Sequence, residues 1–229
     1  MSDSRKPPPS ASAPDDSAPG IAPTATSPAD VLARELAGNF KEHVRRSLGI
    51  ELDGSITSLA FVDHYLRTAR KEQRAPIVAL VAAEAGAYYG ELVRNEIGAQ
   101  WIGDREDPRR LRLLMRHQFL WLAPIDQAFE ALLGPVDDDD ERLPTDTALD
   151  TAFHARTTAP AAGGEDDASW LADRLAELPP VGEEEYYTLT CRFETLKLVL
   201  ELLAAKHASM GERPREYQLN DYVAALGGS

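Results

Sequence analysis

Cysteine is almost missing from this 229-residue sequence. Cys191 stands alone, which excludes an internal disulfide, and with no Cys/His spacing of metal-ligand type it also excludes a zinc-finger framework. The expectation is an intracellular, cytoplasmic chain with no metal and no cofactor. Long apolar runs are missing too: the longest, Ala75 to Ala83, stops at Glu84, short of the roughly 18 to 20 residues that cross a bilayer. Arg5 and Lys6 are followed by Pro7, Pro8 and Pro9 where a secretory leader carries an apolar stretch, so neither leader nor membrane partner is expected. The five histidines, His43, His64, His117, His154 and His207, form no H-E-x-x-H pair. No G-x-S-x-G elbow, Walker loop or dinucleotide fingerprint occurs, so no catalytic motif supports an enzyme.

Acidic charge is in excess, with a formal net charge of -14, but it is unevenly placed. Residues 135–167 carry ten acidic side chains against Arg142 and Arg156, whereas residues 31–134 are balanced at 14 against 14. The total disfavours a nucleic-acid groove. Residues 1–28 are rich in Pro, Ser, Ala and Thr and lack the apolar surface that offsets ordering entropy, which predicts a disordered tail. The run Asp137 to Glu141, continuing through Pro144 to Gly164, predicts an acidic flexible linker over 135–167. Two pieces are left: a main piece over 29–134 and a C-terminal helical piece over 168–229. The second is too small to be stable alone, so it is expected to pack on the first.

In the main piece, Val31, Leu32, Leu36, Phe40, Val44 and Leu48 recur at helical spacing, with Ser27 or Asp30 as cap. Ser55 or Ser58 is expected to cap a second helix with Leu59, Val62, Tyr65 and Leu66 on one side and Arg67, Arg70 and Lys71 toward its end. Pro76 opens a third, apolar around much of its girth, that runs to about Ile97 with Gly98 as its stop. This third helix is expected to be central. Trp101 and Ile102, then the alternating Arg110 to Arg116, then Phe119 and Trp121, predict two or three short antiparallel strands. Pro124 starts a further helix, closed by Gly134. In the second piece a short helix covers Ser169 to Leu178. Residues 186–193 fit strand or helix; helical spacing through Leu203 favours one long helix from Glu183 to about Ser209, with Asn220 capping a last turn. The fold class is therefore α+β, mostly α.

The densest pattern is Gly86-Ala87-Tyr88-Tyr89-Gly90-Glu91, followed by Arg94, Gly98 and Trp101. It resembles a loose group of bacterial domains of unknown function that carry G-x-Y-x-G-E-x-x-R-x-x-x-G-x-x-W on a central helix. The resemblance covers roughly residues 50–135; it implies a helical domain with a small sheet and supplies no reaction. Read from the residues alone, Gly86 and Gly90 lie four apart on one helical face, where another backbone or a ring can come close, and Glu91 and Arg94 are placed to pair. Glu84, seven residues before Glu91, shares nearly the same face. The motif thus has two readings: close packing plus an orienting salt bridge, or a ligand or catalytic site built on Glu84, Tyr88, Glu91 and Arg94.

A second feature is Arg105, Arg109, Arg110, Arg112 and Arg116 within twelve residues. Strand alternation sets Arg110, Arg112 and Arg116 on one side and Leu111, Leu113 and Met115 on the other. That side is either a solvated face, a docking face for an acidic partner protein, or a seat for the chain's own acidic run. The leading functional expectation is a non-enzymatic protein-binding or accessory domain. The alternatives are a small enzyme on the third-helix residues, and an immunity-type inhibitor of a basic toxin.

Overall fold

The computed structural model describes residues 27–137, 139–157 and 166–226; the expectation for residues 1–26 lies outside them. The first helix, α1 (Pro28–Leu48), starts in a capping box in which the Ser27 hydroxyl accepts from the Asp30 amide and the Asp30 carboxylate accepts from the Ser27 amide. It ends at Gly49, whose φ of 70° is left-handed. A 3-10 turn at Ile56–Ser58 precedes α2 (Leu59–Ala69). Neither Ser55 nor Ser58 caps α2. Ser58 instead donates its hydroxyl to the Ser55 carbonyl and accepts from the Tyr88 hydroxyl, so its side chain serves the core.

Helix α3 (Ala75–Val93) continues into a single π-helical turn, Arg94–Gly98, closed by Gly98 at φ 91°. The whole segment Ala75–Gly98 is long and apolar enough to cross a membrane by length and composition, but 67% of its apolar window is buried inside the protein. Its surface is taken up by α1 on one side and by α4 (Pro124–Leu133) on another. Apolarity around the whole girth is what a helix surrounded on several sides requires. The central position expected for it is observed.

Four short strands form one antiparallel sheet in the order β1 (Ala99–Ile102), β2 (Arg112–Met115), β3 (Leu120–Leu122), β4 (His154–Ala155). One strand more than expected is present, and it comes from the acidic stretch: Trp121 pairs with His154 and Leu120 with Ala155. Trp101, Leu113 and Leu122 point into the main core; Leu114 and Trp121 point the other way. That second face is not open to water. Tyr217 and Tyr222 cover it with Phe119, and the buried Tyr222 hydroxyl accepts from the Leu120 amide and donates to the Met115 carbonyl.

The acidic stretch differs from the linker expected over 135–167. In its described part, Val136, Leu143, Leu149 and Phe153 pack against the core. Asp140 pairs with Arg142, whose guanidinium also donates to the Arg70 carbonyl. The Arg109 guanidinium, with 14% of its side chain exposed, bonds Asp126, Asp146 and the carbonyls of Thr147 and Ala148. Apolar residues spaced among the aspartates and one nearly buried arginine seat this segment on the fold.

Helix α7 of the C-terminal piece packs against α2 and α4. Helix α5 (Asp167–Ala176) is capped by Asp166 and tied to α7 (Leu189–Ser209) through Asp167 with Lys206 and His207. The expected single helix from Glu183 is two: α6 (Glu183–Tyr186) stops, the chain turns extended at Thr188, and α7 begins. The Thr188 hydroxyl caps α7 locally, and the buried Asp63 carboxylate on α2 accepts from the amides of Leu189 and Thr190 and from the Thr190 hydroxyl. Asn220 lies inside α8 (Leu219–Leu226) rather than capping it; Asp221 accepts from the Gln218 amide there.

Candidate functional site

The motif on α3 resolves into contacts residue by residue. A Cβ on Gly86 would stand 2.6 Å from the Ile125 Cα and the Pro124 carbonyl oxygen, so the start of α4 crosses α3 backbone to backbone. At Gly90 the obstacle is the Trp101 indole ring, which occupies the space a side chain would need. Glu91 then holds that ring from the next position. One carboxylate oxygen accepts from the Trp101 Nε1–H at 2.7 Å, the other from Arg94 at 2.7 Å. The run from Gly86 to Trp101 is therefore a device that fixes β1 and α4 against the central helix. In a helix interior a glycine costs about 0.5–1 kcal/mol relative to alanine, which this packing offsets.

The side chains considered for chemistry do not converge. Glu84, 2% exposed, points toward α1 and lies 2.7 Å from His43 Nδ1; burial raises its pKa, against the lowering effect of His43. Tyr88 sends its hydroxyl to Ser58 and accepts from the Gly54 amide, and burial raises its pKa as well. Glu84 and Glu91 thus serve different partners on different elements. Among the described residues no group of three or more His, Cys, Asp or Glu is placed to hold a metal ion.

The arginines do not form the row expected. Strand β2 covers only residues 112–115, and Leu114, not an arginine, lies beside Arg112 on the outer face. Arg112 folds back to donate to the carbonyls of Arg109 and Leu111, over the Trp121 ring. Arg110 is in a 3-10 turn and sits 3.8 Å from both Asp104 and Asp107. Arg116, just past β2, goes elsewhere: it lines a groove with Arg34 of α1 and Arg94.

This groove and a smaller pocket beside it bring together half of the singled-out residues: Tyr88, Glu91, Arg94, Trp101 and Arg116. The groove, about 390 Å³, is lined by Ser27, Asp30, Arg34, Arg94, Trp101 and Arg116 among others. The smaller pocket, about 200 Å³, lies between α1 and α3 and is lined by Arg34, Gly38, Lys41, Tyr88, Glu91 and Asn95. Arg34 lines both, so the two pockets are neighbours on either side of that side chain. The carboxylates nearby are engaged: Asp30 in the capping box, Glu91 by Trp101 and Arg94, Glu35 by Arg105. Among the described residues, Arg34, Lys41 and Arg116 have no ion-pair partner, and Lys41 lies 5.7 Å from the Tyr88 ring centroid. Buried beside the groove, Arg94 Nε and Gln100 Nε2 have no acceptor among the described residues.

Arg34, Gly38, Lys41 and Asn95 were not singled out from the sequence. The signal was there: 34, 38 and 41 stand at i, i+4 and i+7 on α1, and 88, 91 and 95 at i, i+3 and i+7 on α3. A larger cleft, about 570 Å³, opens between α4, the acidic segment and Tyr187, but its one carboxylate, Glu130, is taken by Arg192. No family model matches the chain, and no curated protein or solved structure is significantly similar to it.

Proposed function

We propose that this chain is a non-enzymatic binding domain whose groove at Arg34, Arg94 and Arg116, with the neighbouring α1/α3 pocket, takes a carboxylate-rich segment of a partner protein. The observation that carries this reading is the meeting of Arg34, Arg94 and Arg116, from three different elements, in one groove whose own carboxylates are already engaged. Arg34 and Arg116 have no ion-pair partner among the described residues, while Arg94 is shared with Glu91; guanidinium groups at a concave site suit planar carboxylates, which they bind through two parallel hydrogen bonds. The dispersal of Glu84, Tyr88 and Glu91 among separate structural partners supports binding over catalysis. The immunity-type alternative draws no comparable support, because Asp140, Asp146 and Asp150 of the acidic stretch are paired within the fold.

The test is fluorescence anisotropy with labelled hexaglutamate at low salt. The Arg34→Ala/Arg116→Ala double variant is expected to bind about tenfold or more weakly, a loss of about 1.4 kcal/mol, while Arg110→Ala binds as the parent does. Affinity should fall steeply with salt, because exposed charges are screened over about 8–10 Å. Equal binding by the double variant and the parent, or equal binding of a labelled hexalysine, would overturn the proposal.

A further inference from the structure

Three glycines stand inside α-helices among the described residues: Gly38, Gly86 and Gly90. Two of them have a reason inside the fold, the backbone of α4 and the Trp101 ring. Gly38 has none. It lies in the middle of α1 with ordinary helical backbone, it is exposed, and a Cβ built on it meets nothing within 4 Å. A residue that weakens its own helix and leaves open space in return marks a place where something else approaches the backbone. That place is on the lining of the pocket between α1 and α3, between Arg34 and Lys41 on α1 and with Asn95 on the other element.

We infer that Gly38 is the seat for the main chain of the bound partner segment, which lies extended along the α1/α3 seam. This rests on the acidic-segment reading above and adds the mode of binding to it. Arg34 and Lys41 are seven residues apart, about 10 Å along the helix axis. In an extended chain, side chains on the same side repeat every second residue, about 7 Å apart. Two long cationic side chains leaning inward span that difference. The segment that fits therefore carries acidic residues at alternate positions, acid-x-acid, and the backbone of the intervening residue rests on Gly38. Asn95, exposed and without a side-chain hydrogen bond among the described residues, offers a donor and an acceptor to the peptide groups of that backbone from the α3 wall. A bulkier residue at 38 would leave the charges in place and lift the segment away from them.

The experiment uses Gly38→Ala and Gly38→Leu in the full chain, read by thermal melting and by anisotropy with the labelled hexaglutamate probe. Both variants are expected to melt higher than the parent, by about 2–4 °C, since either residue is a better helix former and has room. Affinity for the probe should fall about tenfold or more in Gly38→Leu, with Gly38→Ala in between. If Gly38→Leu binds like the parent while Arg34→Ala/Arg116→Ala does not, this inference fails and the acidic-segment reading stands. If neither variant alters binding, both fail. A lower melting temperature in Gly38→Leu also overturns the inference, because the glycine would then be serving the fold.

Discussion

At the scale of single residues, the contrast between Gly90 and the arginines shows what spacing conveys. Two glycines four apart on a helix announce a close approach, and the sequence shows that much. It does not show what approaches, because Ile125 and Trp101 reach α3 through tertiary packing. Replacing Gly90 by leucine should destabilise the protein by roughly 1–3 kcal/mol through overpacking against Trp101, although leucine is the better helix former. Urea denaturation followed by tryptophan fluorescence would measure it, and an increase in stability would refute the packing account. The arginines mislead in the opposite way. Alternation over Arg110 to Arg116 implies one cationic side, but Leu114 is fully buried on that side by two tyrosines from the far end of the chain. Nothing local to β2 encodes that cover.

Helices and strands of the main piece follow from local signals, because their causes are local. Ser27, Pro76, Gly98, Pro124 and Gly134 are start and stop residues within a turn of the boundaries they set. The break between α6 and α7 is not of that kind. Its principal stabiliser, the Asp63 carboxylate, stands 126 residues away from Leu189 and lies buried between α2 and α7. Burial raises the Asp63 pKa, against the three hydrogen bonds that lower it, so the carboxylate is held by geometry at a cost in solvation. Asp63→Ala leaves two amides and a hydroxyl without an acceptor and should cost about 2 kcal/mol. Thr188→Ala, which removes only the local cap, should cost about 1 kcal/mol. Chemical denaturation of the two variants checks the order, and an equal effect would mean that the local cap carries the helix start.

At the scale of the whole molecule, the acidic stretch carries the weakest local signal for its place in the fold. Its composition is that of a linker, and the few apolar residues that anchor it, Val136, Leu143, Leu149 and Phe153, are too far apart to show a period. What holds it is Arg109, whose guanidinium joins Asp126 on α4 to Asp146 and two backbone carbonyls of the stretch. Arg109→Met should therefore act twice. It leaves Asp126, 2% exposed, without its cation, a loss of about 3–5 kcal/mol for a broken buried pair, and it releases the segment, so that protease cleavage between Asp139 and Thr151 accelerates. Asp146→Asn, at a mostly exposed partner, should stay within about 1 kcal/mol. Unchanged cleavage in Arg109→Met would show that the apolar anchors alone seat the stretch.

The tyrosine cover on the sheet also bears on how the protein is made. Leu120 donates to the hydroxyl of Tyr222, 102 residues later in the chain. Synthesis proceeds at roughly 5–20 residues per second, so a nascent chain presents Leu114, Phe119 and Trp121 uncovered for roughly 5–20 s before the residue that shields them has been added. During that interval the hairpin of β2 and β3 is a sticky surface on the ribosome, and the emergence of α8 is what ends its exposure.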